Sequence, residues 1–279
     1  MICSYILQKK LQPSFGFCSV IKKNFKALAM HSKWRFYSYL ILALVAGLCV
    51  LSFKSGTKNA LPTKAAARMK IEVWSDVVCP FCYIGKRRFE EALARFPHKD
   101  EVEVVWRSYE LTPGLKTDPT QNINQFLARH KGISISEAKE MSGYATQMAA
   151  QTGLTYHFDK TVVANSFRAH CLIHFAKSKG KQSVMKERLF QAYFTEGRNI
   201  DDLATLTELA VSVGLQKGEV RKALENNAYA QAVQKDVAEA QRIGVEGVPH
   251  FVFPGGKIVS GAQDVAVFSK TLQAAWAAR

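Results

Sequence analysis

The sequence predicts an α/β domain interrupted by an all-helical insertion. Three observations lead there: residues from 69 onward open with a β-α-β pattern, residues 114–227 read as helix alone, and an α-β-β-α pattern closes the chain. In 70–75, Ile71 and Val73 alternate with Lys70, Glu72 and Trp74, a short strand. In 101–109, Val102, Val104 and Trp106 repeat that pattern. Between them, 79–96 carries Cys82, Phe89, Ala92, Leu93 and Phe96 as a helical stripe, and Pro97 stops it. A right-handed crossover then makes the two strands parallel neighbours.

In the interruption, Ser134 and Glu137 form a capping box before a stripe of Ala138, Met141, Ala145 and Met148. Residues 165–179, with Phe167, Cys171, Ile173, His174 and Phe175, give another helix, and 184–195 and 203–213 two more. Their Met and aromatic stripes are read as core. After it, 228–243 is a helix, 250–253 and 257–260 are strands joined by Pro254-Gly255-Gly256, and Val265, Phe268, Leu272 and Trp276 mark a closing helix. The expected division is 69–113 plus 228–279 for the α/β domain and 114–227 for the insertion.

Hydrophobic residues make up 48% and charged residues 22%, which excludes wholesale disorder and a polytopic membrane protein. The formal charge of +15 is not spread evenly: 1–68 holds eleven Lys/Arg and no acid, leaving +4 for the rest. Nucleic-acid binding is therefore not expected, since the domain has no basic stripe interleaved with aromatics. Residues 1–35 form a basic extension and 54–68 a linker. Between them, 36–53 runs 18 residues without a charge, about 27 Å as a helix, flanked by Lys33, Arg35 and Lys54. Two readings stand: a membrane anchor through 36–53, or a leader ahead of a cytoplasmic chain that starts at Met69. A chain beginning at Met69 is expected to retain the catalytic unit.

The chemistry centres on Cys79-Pro80-Phe81-Cys82, placed between a strand and a helix start. Residues i and i+3 share a helix face, which brings two sulfurs within disulfide range. A helix N-terminus favours an anion, so Cys79 is expected to be the exposed, acidic, attacking thiol and Cys82 the protected, resolving one. Pro80 is tolerated in the first turn, where an N–H lacks a partner anyway. Two other readings compete. A zinc site would add His170 and His174, spaced i, i+4; two inert buried cysteines would have no chemistry. The unpaired Cys171 favours a reducing compartment.

The segments SDVVCPFCYIGKRRFE, WRSYELTPGL, NSFRAHCLIHFAKSKG, LFQAYFTEGRNIDD and GVEGVPHFVF, in this order, resemble the DsbA-like thioredoxin-fold family, most closely its FrnE-like branch of dithiol-disulfide oxidoreductases and isomerases. The resemblance runs from Met69 to the C-terminus. It implies a thioredoxin-like fold interrupted by the helical insertion, with Cys79 attacking, Cys82 resolving and Val248-Pro249 forming a cis-proline loop that pairs with an incoming peptide. Phe81 stands where Trp is commoner, and His170 matches a recurrent family histidine, placed either at the substrate site or as a packed helix residue. It further implies cysteine-containing clients or small thiols as partners, no resident cofactor, and glutathione as a redox partner. A sister branch, the glutathione-dependent 2-hydroxychromene-2-carboxylate isomerases, typically has Ser in place of Cys79 and lacks the second cysteine. It is the alternative enzyme; a membrane-tethered binding module without catalysis is the alternative from another class.

Overall fold

Strand β1 (Met69–Ser75) buries Met69, Ile71 and Val73 on one face, and pairs in parallel with β2 (Val102–Ser108) from Met69↔Val102 to Ser75↔Ser108. The computed structural model describes residues 68–279, which lie within one compact unit, Ala65–Arg279. The 36–53 run, the basic extension, and Cys3, Cys18 and Cys49 lie outside the described residues. Among the described residues no helix is long and apolar enough to cross a membrane.

Helix α1 (Pro80–Ala94) makes the crossover between the two parallel strands. After the insertion the chain returns as β3 (His250–Phe253), antiparallel to β1, and turns into β4 (Lys257–Ser260). The sheet order is β2-β1-β3-β4. On one face, Phe89 of α1, Phe251, Phe253 and Phe268 of the closing helix form an aromatic cluster with ring centroids 4.8–6.3 Å apart. The other face carries the insertion.

The insertion comprises α2 (Ile123–Lys131), α3 (Ile135–Ala150), α4 (Phe167–Ser178), α5 (Gln182–Phe194), α6 (Leu203–Ser212) and α7 (Lys217–Glu225), followed by α8 (Ala230–Arg242); α9 (Val265–Ala277) closes the chain. Its core is continuous with Cys82, Tyr83 and Ile84 of α1, so the helices pack directly behind the CxxC segment. The Ser134/Glu137 capping box forms as expected. The α3 stripe differs from expectation. Ala138, Ser142, Ala145 and Ala149 are its buried face, whereas Met141 is 43% exposed and Tyr144 57%. Small residues let this helix approach its neighbours closely, and the larger side chains are displaced to the outer edge, with Tyr144 6.4 Å from Phe81.

Beneath the sheet, Asp236 of α8 ties three elements together. It accepts hydrogen bonds from the Ser108 N–H at 2.9 Å and Arg107 Nη1 at 2.8 Å, and lies 3.1 Å from His174 Nε2. Arg107 also pairs with Glu72, so the end of β2 is fastened to both β1 and α8.

Candidate active site

Cys79 is the residue immediately before α1, and Pro80 occupies the first helical position with no N–H to leave unsatisfied. The Cys79 N–H bonds to the Asp76 carbonyl at 3.3 Å and the Cys82 N–H to the Cys79 carbonyl at 3.1 Å, a tight first turn that sets both sulfurs on one side. Cys79, Cys82 and Cys171 are the free cysteines among the described residues. The Val248–Pro249 peptide is cis. Cys79 Sγ donates to the Val248 carbonyl at 3.6 Å, which brings residues 169 positions apart into one site. The Pro249 carbonyl is held by the Gly261 N–H at 2.8 Å, and Arg88 of α1 reaches the Ala262 carbonyl at 2.7 Å.

Gly85 permits this approach. A Cβ there would stand 2.9 Å from Pro249 Cγ, inside normal contact distance, and 3.5 Å from Ala262 Cα, an ordinary contact. Gly85→Ala is expected to displace the Pro249 loop from α1. It should destabilise by about 1–3 kcal/mol and slow exchange more than it destabilises the fold. Denaturation and exchange rates on the same sample check this; unchanged exchange would show that the loop position is not critical.

The acidity expected of Cys79 is not what the enclosure produces. Cys79 is 4% exposed, and its thiol is pushed up, first by its hydrogen bond with the Cys82 sulfur, then by burial and by the negative charges of Cys82 and Asp76. The helix terminus is present, but the second sulfur and the buried carboxylate outweigh it. Alkylation of Cys79 in the reduced protein is accordingly expected to keep accelerating with pH above 9, because the reactive thiolate forms late. Peptide mapping after timed iodoacetamide treatment checks this; a plateau at or below neutral pH would contradict it.

Asp76 was not singled out by sequence reasoning. It is fully enclosed, accepting hydrogen bonds from the Leu111 N–H at 2.7 Å and the Val78 N–H at 3.4 Å, and His170 Nε2 lies 3.2 Å away. Burial alone would raise its carboxyl, but the hydrogen bonds, with that from His170 the largest, hold it below the usual range. Burial lowers His170 despite Asp76, so a neutral imidazole donates Nε2–H to a carboxylate. The substrate-site placement of His170 is therefore corrected. Its ring is 1% exposed and sits behind the site, engaged with Asp76. The signal for Asp76 was its position, an acid between Ser75 and Val77-Val78 at the end of a buried strand.

Phe81 and Val248 are both half-buried and pack against the core cluster that contains Cys79 and Cys82. The donors a zinc site needs are engaged separately, with His170 on Asp76 and His174 between Ser108 and Asp236; among the described residues no cluster of three metal-ligating groups forms. Cys171 is buried on α4 and pushed up to about 11, chiefly by that burial. Tyr156 of the insertion donates to the Pro80 carbonyl at 2.8 Å, fixing the first turn of α1 from the other side.

The sequence matches the DSBA-like thioredoxin domain over residues 70–273. It is 31% identical over 207 residues to the uncharacterized protein YwbO of Bacillus subtilis, covering 72% of this chain and 94% of that protein. Among solved structures, a probable DsbA oxidoreductase of Streptomyces coelicolor is 41% identical with a TM-score of 0.72, covering 76% of this chain and 92% of that one. The cytosolic disulfide reductase DsbM of Pseudomonas aeruginosa has the same fold at 16% identity and a TM-score of 0.55, covering 76% of this chain and all of that one. With the family domain spanning the sheet, the CxxC helix, the insertion and the proline loop, this chain belongs to the DsbA-like thioredoxin family.

Proposed function

We propose that the protein is a thiol–disulfide oxidoreductase of the FrnE-like type, exchanging disulfides through Cys79 and Cys82. The observation that carries this reading is the arrangement itself: two free thiols one helical turn apart at a helix start, with Cys79 Sγ on the backbone of the Val248–Pro249 loop. As the Cys79 thiolate attacks a client disulfide, one client sulfur leaves and a mixed disulfide forms. Cys82 then attacks Cys79, forming the Cys79–Cys82 bond and releasing the second client sulfur as a thiolate. The reverse sequence oxidises a client dithiol. Both electrons travel on sulfur, so no resident cofactor is needed.

The partners are cysteine-containing polypeptides and small thiols, with glutathione among the latter. Direction depends on reduction potential against the surroundings, about 30 mV changing the equilibrium tenfold. The half-buried Phe81 and Val248 and the exposed Tyr144 edge of α3 offer apolar surface to a client segment around the sulfurs. In the same reading residues 36–53 tether the unit to a bilayer if they are retained. Salt-resistant recovery in membranes checks that, and recovery only in the soluble fraction contradicts it.

The test is exchange between the protein and a peptide disulfide, comparing wild type with a variant lacking both Cys79 and Cys82. Loss of exchange in the variant supports the reading. Full exchange in the variant would mean that another thiol does the work, absence of exchange in wild type would favour the binding module, and turnover of glutathione adducts without any mixed disulfide would make it an isomerase.

A further inference from the structure

A cavity of about 190 Å³ lies between the segment that follows β2, helix α2 and the start of α4, and one of its walls is Val78, the residue before Cys79. The other walls are largely apolar, with Leu111, Leu115, Ile123 and Phe126 among them, and no carboxylate lines the space. Leu111 is 44% exposed, so the cavity opens to solvent at that edge. It is also fastened to the reaction centre. The Leu111 and Val78 N–H groups both bond to the Asp76 carboxylate, at 2.7 and 3.4 Å. A group seated against Val78 is therefore one residue along the chain from the attacking thiol.

Tyr193 of α5 lines the cavity from its buried side. It is 3% exposed, its ring stands edge-on to Phe194 at 4.9 Å, and among the described residues its hydroxyl has no hydrogen-bond partner. A buried tyrosine hydroxyl ordinarily has one. Burial, with the negative charge of Asp76, keeps the phenol protonated, so it has a proton to donate and lone pairs with which to accept. Size and chemistry together select an occupant. An apolar cavity of about 150 Å³ holds one benzene molecule, so this space takes a single six-membered ring with a little room to spare. The walls suit the ring, and Tyr193 calls for a group that both donates and accepts. A phenol does both, and polypeptides carry it as tyrosine.

We propose that this cavity is a specificity pocket for a tyrosine side chain next to the client cysteine, with the Tyr193 hydroxyl pairing with the client phenol. This rests on the exchange reading above and names the client class that the same site prefers. As the client sulfur meets Cys79, the neighbouring tyrosine ring leaves water for the cavity, and its hydroxyl supplies the partner that Tyr193 lacks. Phenylalanine fills the same space but leaves Tyr193 unpaired, and alanine leaves it empty. No bond is made or broken in the pocket. It acts on the capture of the client, and the sulfur chemistry is the same for every peptide.

The experiment measures kcat/KM of the full chain, reduced, on peptide disulfides that carry Tyr, Phe or Ala immediately before or immediately after the cysteine. At one of the two positions Tyr is expected to exceed Ala by at least about tenfold, from burial of the ring, and Phe by about fivefold, the worth of one neutral hydrogen bond. Tyr193→Phe, which keeps the ring against Phe194, should make the Tyr and Phe peptides equal while both still exceed Ala. Leu127→Trp, which fills the cavity from α2, should make all three equal. A merely structural role for Tyr193 would lower all three peptides by one factor and leave their ratios unchanged. The wild-type ratios decide the matter even if neither variant folds: exchange that is equal for the three peptides at both positions overturns the proposal. Binding of p-cresol to wild type without any peptide preference would assign the cavity to a free small molecule and overturn it too. Absence of exchange with every peptide would instead sink the exchange reading, and the pocket's role with it.

Discussion

Replacing Cys79 by Ser is expected to lower the rate of disulfide exchange by roughly a thousandfold or more, because the serine hydroxyl cannot form the mixed disulfide that divides the reaction into two steps. The fold should survive, since Ser is close in size and Cys79 contributes one weak sulfur hydrogen bond to the Val248 carbonyl. Reduction of a peptide disulfide, followed with matched thermal denaturation, checks both halves. Exchange within about tenfold of wild type would mean that another thiol does the work. Cys171, the third free cysteine among the described residues, is poorly suited to that, being enclosed on α4 and pushed up to about 11.

Asp236→Ala should destabilise the protein by about 3 kcal/mol, since it leaves the Ser108 N–H unpaired in an enclosed space, leaves His174 with only the Ser108 hydroxyl and frees one side of Arg107. Asp236→Asn should lose less, because its amide oxygen still accepts from Ser108. The same group gives a pH dependence. Burial would raise the Asp236 carboxyl, but hydrogen bonds from His174 and Ser108 and the charges of His174 and Arg107 hold it below the usual range. A depressed folded value means the contribution is complete above about pH 4, the unfolded value, and is lost as pH falls through the lower folded one. Urea denaturation of wild type and Asp236→Ala at pH 7 and pH 3 checks this. The gap between them should narrow in acid; a gap under about 1 kcal/mol at pH 7 would contradict the bridging role.

Much of this architecture could be read from residue patterns. Alternation of Ile71 and Val73 with polar neighbours, Pro97 as a stop, and Pro254-Gly255-Gly256 as a turn are local signals, and local signals locate β1, α1 and the β3–β4 hairpin. Helices α2 and α7 were not expected. Each spans nine residues, too few to show a sustained stripe, and α2 is announced mainly by Asn122, which accepts from the Asn124 and Gln125 N–H groups. The exposure of Met141 was misread because an apolar side chain at helical spacing signals a buried face only when large residues do the packing, and in α3 alanines do.

The site divides in the same way. Cys79 and Cys82 declare themselves by spacing and by the strand-to-helix junction. The acidity of Cys79 depends on what encloses it, and although Asp76 stands just before it in sequence, its complete burial comes from the fold. His170 was visible as a candidate, but its direction, toward Asp76 and away from solvent, comes from the packing of α4 behind β1.

The most direct test of the assignment of Cys79 as attacking and Cys82 as resolving thiol is capture of the intermediate in Cys82→Ser. That variant, reduced and mixed with a peptide disulfide, is expected to accumulate one stable mixed disulfide, and peptide mass spectrometry should place it on Cys79. No adduct, under conditions where wild type exchanges disulfides, or an adduct on Cys171, would contradict the account.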